Sequence, residues 1–231
     1  MRRDPTVPVD KTALVVGASR GLGLGLAAEL RRRGWDVVGT VRDDAGAVEA
    51  LGARVERLDI ADGEAVAALR RRLGGVVFDL VFVNAGIQGP AHQDPAQATA
   101  AEIGELFLVN AVAPVRVAQA VFDLVRDGTG VVAFMSSDLG SVSGNTDGYL
   151  ALYRTSKAAL NSLVRSFAAG LGARRVTVLA VHPGWVRTDM GGGHAPLAVE
   201  DSVRGIVDLT ERRAGTLRHG FVDHRGRELA W

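Results

Sequence analysis

The chain has 231 residues, 47% hydrophobic and 23% charged, which is the balance of a folded globular domain rather than a disordered or fibrous chain. A formal net charge of +1 supplies no excess of basic residues for nucleic acid, and the absence of cysteine excludes disulfides, thiolate zinc sites and cysteine nucleophiles. We find no signal-peptide core and no apolar run that approaches the ~18 residues of a membrane span, so we expect a cytoplasmic protein with no membrane partner.

Seven short runs rich in β-branched residues alternate with longer amphipathic stretches along the chain. The runs predict strands at 12–17, 36–41, 54–58, 78–83, 130–136, 175–181 and 219–223. The stretches between them predict helices at 22–33, 44–51, 62–73, 98–126, 150–172 and 199–212. This alternation implies right-handed crossovers, a parallel sheet and helices on both of its faces. We therefore predict a single domain over 1–231 with a Rossmann-type, doubly wound α/β fold of about seven strands.

Residues with distinctive chemistry follow the ends of five predicted strands, namely Gly17, Asp59, Asn84, Ser137 and Pro183. A doubly wound sheet binds its ligands beyond the carboxyl ends of its strands, so we expect five loops to meet at one rim and form one site. None of the five histidines has a partner at metal-ligand spacing, and we predict no catalytic metal.

The sequence VVGASRGLGLG lies where the first predicted strand passes into the first helix. Gly17, Gly21 and Gly23 allow a tight turn and a close backbone approach, so a pyrophosphate can sit on free N–H groups at the positive end of the helix. A glycine loop placed in this way predicts a dinucleotide site. The same loop offers Ser19, Arg20 and Leu22 to the cofactor.

The end of the second predicted strand indicates which dinucleotide is bound. A carboxylate there would accept hydrogen bonds from the adenosine ribose and repel a 2′-phosphate, but the sequence has Thr40, Val41 and Arg42. Arg20 in the glycine loop is a second cation within reach. We expect Thr40 and Arg42 to face the adenosine ribose, and the two arginines favour NADP(H) over NAD(H).

Tyr153 and Lys157 are four residues apart on a predicted helix and therefore share one face. The chain has 27 Lys and Arg residues, of which only Lys11 and Lys157 are lysines. A lysine at this place, in a chain that otherwise uses arginine, indicates that an ammonium is needed here and not only a positive charge. A phenol has an ordinary pKa of about 10, and a neighbouring ammonium favours the phenolate. The pair predicts a tyrosine whose pKa is lowered by Lys157 and that exchanges a proton with substrate.

Four motifs stand in one order along the chain: the glycine loop, Asn84-Ala85-Gly86, Tyr153-x-x-x-Lys157 and Pro183-Gly184. In this the chain resembles the short-chain dehydrogenase/reductase family, most closely its small branch of C-factor-type proteins and carbonyl reductases. The resemblance implies an NADP(H)-dependent oxidoreductase that moves hydride between nicotinamide and a carbonyl or alcohol substrate. Tyr153 would be its general acid and base, and Lys157 would hold the nicotinamide ribose.

The resemblance also implies an oxyanion donor after the fifth strand, and the S-S-x-x-G pattern selects Ser137. The interval from Ser137 to Tyr153 is 16 positions, about three longer than the family's usual spacing. Ser141 by spacing and Ser136 by adjacency are therefore the alternatives.

Asn110 resembles the family's asparagine whose backbone holds a water linked to the lysine. The alternative is a polar residue at a helix kink near Pro114. Asp59 resembles the aspartate that contacts adenine; its alternative role is a helix cap, which we assign instead to Asp62. The resemblance implies further cofactor contacts from Ile60, Asn84, Ala85, Gly86, Pro183, Gly184, Val186 and Thr188.

The predicted helices 98–126 and 150–172 carry apolar and small residues on more than one face, which indicates a second buried surface. In the family that surface forms dimers and tetramers, so we expect a homodimer or homotetramer. The alternative function is an NADP-binding sensor or signalling protein with little turnover. The Tyr153–Lys157 pair argues against it, because a sensor needs no proton donor.

Overall fold

The computed structural model describes residues 11–231, and the amino-terminal stretch in which we looked for a signal peptide lies almost entirely outside them. Seven strands form one sheet: Thr12–Val16 (β1), Asp36–Val41 (β2), Arg54–Arg57 (β3), Leu80–Val83 (β4), Val131–Met135 (β5), Thr177–His182 (β6) and Gly220–Asp223 (β7). Their order is β3-β2-β1-β4-β5-β6-β7, and every neighbouring pair is parallel. The predicted doubly wound fold is confirmed.

Helices cover both faces of the sheet. They are Gly21–Arg32 (α1), Gly46–Glu49 (α2), Gly63–Arg72 (α3), Ala100–Phe107 (α4), Ala113–Val121 (α5), Ala151–Ala169 (α6) and Val199–Arg213 (α7). Leu26 of α1 and Val203 of α7 pack on one face with Val15, and Val117 of α5 and Leu160 of α6 pack on the other with Leu14. Both faces of the strands are therefore buried, which explains why their sequences are continuously apolar rather than alternating.

The predicted helix 98–126 is interrupted in the structure. Thr99 and Glu102 form a capping box at the start of α4, but a π-helical turn, Leu108–Val112, separates α4 from α5. Pro114 explains the interruption, because proline has no N–H to donate to the carbonyl four residues earlier, which belongs to Asn110. The predicted helix bounds missed this break because the apolar pattern runs through it unchanged, although the alternative role considered for Asn110 placed a kink near Pro114.

The segment Ala100–Leu124 is long and apolar enough to cross a membrane by length and composition alone, contrary to the expectation that no run approaches that limit. Half of its most apolar 18-residue window is buried in the protein. Leu106, Val117 and Val121 of this segment are fully buried, so the apolar sequence is accounted for by packing.

The strand register brings the predicted site loops to one rim. Val16 pairs with Val83, Val83 with Phe134, and Met135 with Val181, so four adjacent strands end at nearly the same level. The crossovers diverge on either side of β1 and β4, which makes their carboxyl ends the switch point where a ligand crevice forms.

Candidate active site

The glycine loop after β1 is held from beneath by two side chains. Thr40 Oγ1 accepts a hydrogen bond from Gly17 N at 3.0 Å, and Asn84 Nδ2 donates to Gly17 O at 2.8 Å. Thr40 is buried, so its hydroxyl supports the loop instead of facing a nucleotide ribose as we expected. Asn84 has the same supporting role from the end of β4.

The space around the loop fits an anion and excludes side chains. Gly17 has φ +84°, and a Cβ on it would lie 2.9 Å from Ala85. A Cβ on Gly23 would overlap Gly17 O. Arg20 precedes α1 and provides no side-chain cap, so the N–H groups of the first turn remain free to donate to a ligand at the rim. The residues present therefore fit the pyrophosphate of a dinucleotide, as the glycine spacing predicts.

The two predicted phosphate-binding arginines differ in their surroundings. Arg20 forms an ion pair with Asp189, which lies after β6 on the opposite side of the crevice. Arg42 is exposed and has no ion pair within residues 11–231. Arg42 is thus the cation at the end of β2 that is open to a phosphate.

Asp59 and Ile60 follow β3 at the same rim. Asp62 caps α3 by accepting from Glu64 N at 2.8 Å and Ala65 N at 3.2 Å, which confirms that it and not Asp59 is the cap. Asp59 is exposed, although its Oδ1 accepts from Ala61 N at 2.9 Å. Ile60 is buried in the core.

Tyr153 and Lys157 lie on the rim-facing side of α6. Lys157 is buried, its Nζ donates to Met135 O at 2.9 Å, and it lies 5.7 Å from the centroid of the Tyr153 ring. A Cβ on Gly86 would lie 3.5 Å from Lys157 Nζ. The structure thus brings together the end of β5, the Asn-Ala-Gly loop and the Tyr–Lys pair.

The pKa of the Tyr153 phenol is shifted in the direction opposite to our prediction. Burial raises the pKa of this phenol, and the negative charge of Asp138 raises it further. Burial also lowers the pKa of Lys157 to about 8. In a poorly solvated site the cost of forming a phenolate exceeds the attraction of one ammonium directed at a backbone carbonyl. The protonated phenol is therefore the form that this site favours.

Three serines were candidates for the oxyanion donor. Ser136 Oγ donates to Asn161 at 2.7 Å inside the protein, and Ser141 Oγ accepts from Gly144 N at 3.1 Å within its own turn. Ser137 Oγ donates to the exposed carboxylate of Asp138 at 3.1 Å and accepts from Leu139 N at 3.2 Å. Ser137 and Ser141 thus both accept from a backbone N–H of their own turn, and Ser136 is bonded inside the protein. Ser137 differs from both in that its hydroxyl donates to an exposed carboxylate.

Asn110 is completely buried in the π-helical turn. Its Oδ1 accepts from Ile87 N and its Nδ2 donates to Ile87 O, both at 2.8 Å. Its Nδ2 also donates to Ser156 Oγ at 3.0 Å. The side chain therefore joins the loop after Gly86 to α6. A residue that only caps a helix kink would not make this connection.

The segment after β6 lies across the crevice from the glycine loop. Gly184 has φ +86°, and a Cβ on it would lie 2.9 Å from Leu197. Val186 is buried, and Thr188 Oγ1 accepts from Gly191 N at 3.1 Å. A Cβ on Gly21 would lie 3.7 Å from Thr188 Cγ2. Pro183 anchors the segment by accepting from Ser202 Oγ at 2.7 Å.

Sequence reasoning missed three residues at this site. Asp138 contacts Ser137 and lies 3.5 Å from His182 Nδ1. Gln93 accepts from Tyr153 N at 2.9 Å, and Arg154 donates to Tyr149 O at 2.9 Å and to Asp147 at 2.6 Å. Adjacency to Ser137 and Tyr153 could have pointed to Asp138 and Arg154, but Gln93 belongs to no motif. No group of three or more metal-ligating side chains occurs within residues 11–231.

Comparison with known proteins extends these observations. The family model described as enoyl-(acyl carrier protein) reductase matches residues 17–207. The C-signal protein of Myxococcus xanthus is 38% identical over 154 residues, which are 66% of this chain and 92% of that protein. A short-chain dehydrogenase/reductase from Burkholderia multivorans, crystallised with bound NADP, superposes on this chain with a TM-score of 0.92 and 42% sequence identity. A carbonyl reductase from Pseudomonas aeruginosa PAO1 in complex with NADP superposes with a TM-score of 0.88 and 43% sequence identity. Each match covers 96% of this chain and 100% of the other.

The chain belongs to the short-chain dehydrogenase/reductase family, which confirms the resemblance drawn from its four motifs. Its general activity is that of a dehydrogenase or reductase.

Proposed function

We propose that this chain is an NADP(H)-dependent carbonyl reductase that also catalyses the reverse oxidation of an alcohol. The observation that carries the proposal is the convergence of Lys157, Met135 and Gly86 beside Tyr153, opposite an uncapped helix that fits a pyrophosphate. The NADP complexes of the Burkholderia and Pseudomonas proteins support the choice of cofactor. When bound, NADPH supplies the hydride for the carbonyl carbon.

The residues of the crevice divide the binding of NADP(H) between them. The N–H groups of the glycine loop and α1 hold the pyrophosphate, and Arg42 pairs with the 2′-phosphate. Asp59 accepts from the adenine, and Lys157 donates to the nicotinamide ribose. The backbone of Val186 and the hydroxyl of Thr188 would hold the carboxamide of the nicotinamide.

Proton transfer belongs to Tyr153. Its raised pKa keeps the phenol protonated at neutral pH, and the developing alkoxide is basic enough to take the proton from it. Ser137 donates a second hydrogen bond to the same oxygen once its hydroxyl turns from Asp138. Pro114 has no N–H to donate to the Asn110 carbonyl, and this carbonyl would instead bind a water that connects Lys157 to solvent.

The substrate side of the rim favours an uncharged, apolar carbonyl compound. Its loops expose four large apolar side chains, with exposed fractions of 73%, 64%, 59% and 45% for Val142, Tyr149, Trp185 and Met190. The charged groups of these loops have partners: Asp189 pairs with Arg20, Asp147 with Arg154, and Arg187 donates to Ala195 O and Pro196 O, both at 2.9 Å. An apolar substrate would cover surface that water otherwise contacts.

NADPH oxidation with a panel of aldehydes, ketones and quinones tests the proposal. We expect turnover that is higher for aryl and alkyl ketones than for keto acids, and higher with NADPH than with NADH. A panel without turnover, together with tight NADPH binding, would instead support the alternative of an NADP-binding sensor or signalling protein. The similarity to the C-signal protein is the observation that favours this alternative.

A further inference from the structure

The loop that follows the Asn-Ala-Gly motif contains a glutamine in an unusual setting. Gln93 is only 9% exposed, and its backbone has φ 54°, a left-handed conformation that is uncommon for residues other than glycine. The loop stands between β4 and α4 and faces the start of α6. A buried polar side chain on such a backbone needs contacts that hold it there.

The Gln93 amide uses both of its polar atoms on backbone groups. Its Nε2 donates to Gln88 O at 3.0 Å and to Pro90 O at 2.7 Å, and its Oε1 accepts from Tyr153 N at 2.9 Å. The two donors fold the loop around the side chain, and the acceptor reaches a residue 60 positions away. The amide of a glutamine has both a donor and an acceptor, so one side chain can hold its own loop and also bond Tyr153.

The Tyr153 N–H needs an acceptor from outside its own helix. It is among the first N–H groups of α6, which have no intrahelical partner. Leu150, which precedes α6 with φ 54°, provides no side-chain cap. Gln93 therefore supplies from another loop the acceptor that a serine or aspartate usually supplies at the N-cap.

The Tyr153 carbonyl is held from the same direction. Ser156 Oγ donates to Tyr153 O at 2.7 Å and accepts from Asn110 Nδ2 at 3.0 Å. Asn110 in turn bonds both backbone groups of Ile87. The loop that begins after Gly86 is thus linked to both polar backbone groups of Tyr153, through Gln93 at the N–H and through Asn110 and Ser156 at the carbonyl.

We propose that Gln93 is a positioning residue that sets the place of the Tyr153 phenol by capping α6 from the loop after β4. It touches neither substrate nor nicotinamide. Its effect on catalysis rests on the proposed function, whereas its capping of Tyr153 does not. A displaced helix start would move the phenol away from the oxygen it protonates while leaving the glycine loop in place.

Amide hydrogen exchange measured by NMR, together with kinetics, tests this role in the full chain. Gln93→Leu removes all three hydrogen bonds, and Gln93→Glu keeps an acceptor for the Tyr153 N–H. Gln97→Leu is the matched control, because Gln97 is exposed and, within residues 11–231, its side chain bonds only Asp94 in its own loop.

In Gln93→Leu we expect exchange at the Tyr153 amide to accelerate about tenfold or more, while amides in the middle of α6 keep their protection. We expect kcat for carbonyl reduction to fall about tenfold with the Kd for NADPH changed less than about twofold. Gln93→Glu should recover part of both effects, and Gln97→Leu should match the wild type.

Unchanged exchange at Tyr153 in Gln93→Leu would overturn the cap. Faster exchange with an unchanged kcat would overturn the positioning role. A joint loss of kcat, NADPH binding and thermal stability in both Gln93 variants would show a general structural role in its place. A wild-type protein without turnover would overturn the proposed function and the catalytic part of this role, while the exchange data would still decide the cap.

Discussion

At the residue scale, Asp138 is the carboxylate that affects both Ser137 and Tyr153. It accepts the Ser137 hydroxyl at 3.1 Å and, after burial, is the second cause of the raised pKa of Tyr153. His182 and Lys157 are the other titratable groups beside these two residues. A phenol with a raised pKa remains an acid over the neutral range and becomes a base only at high pH.

Asp138→Asn should therefore allow the Tyr153 phenolate to form at a lower pH. Removal of the negative charge lowers the pKa of the phenol, so alcohol oxidation, which needs the phenolate, should reach its plateau about half a pH unit or more earlier. The measurement is kcat/KM for oxidation against pH in the wild type and the variant. An unmoved profile would show that Asp138 does not act on Tyr153.

At the scale of elements, the end of β2 and the start of α1 form the nucleotide side of the crevice. Arg42→Asp replaces the open cation with a carboxylate that repels a 2′-phosphate and can accept from ribose hydroxyls. We expect kcat/KM for NADPH to fall about 100-fold and that for NADH to remain or rise. Arg218→Asp makes the same charge change at an exposed position near β7 and should leave the ratio unchanged. Retained NADPH selectivity in Arg42→Asp would refute the assignment.

The elements also show how far the sequence alone could lead. The bounds of the strands and of α6 were predicted within a few residues. Apolar periodicity and flanking glycines reflect local backbone geometry, so they can be recognised in the sequence alone. The π-helical turn at Leu108–Val112 was not predicted, although a kink near Pro114 was an alternative for Asn110, because the apolar pattern of α4 and α5 has no gap that would locate it. The supporting role of Thr40 also depends on a contact between β1 and β2 that periodicity does not encode.

At the scale of the whole molecule, α5 and α6 leave an apolar groove on the surface, lined by Val115, Phe122, Leu163 and Phe167. We predict that two copies of the chain associate through this face. Ser166→Glu places a charge on the groove without removing a core contact, and should weaken dimerisation about tenfold or more. Thr216→Glu, exposed in the turn after α7 and away from the lining, is the control. Sedimentation or light scattering gives the association constant, and an unaffected dimer in Ser166→Glu would exclude this face.

The topology of the whole molecule follows from the alternation of strand and helix patterns, which is why the rim and its five loops could be predicted. The polar contacts across that rim could not. Gln93 and Tyr153 are far apart in sequence. Burial of the phenol reverses the expected shift of the Tyr153 pKa, and Asp138 adds to that reversal. Burial and long-range contact arise from the assembled fold and leave no periodic trace in the sequence.

The most direct test of the account is single-turnover hydride transfer from NADPH to an aryl ketone in the wild type and in Tyr153→Phe. The variant keeps the ring beside Lys157 but has no proton to give. We predict that the rate falls about 100-fold or more while the Kd for NADPH changes little. Equal rates in the two proteins would contradict the assignment of Tyr153 as the proton donor.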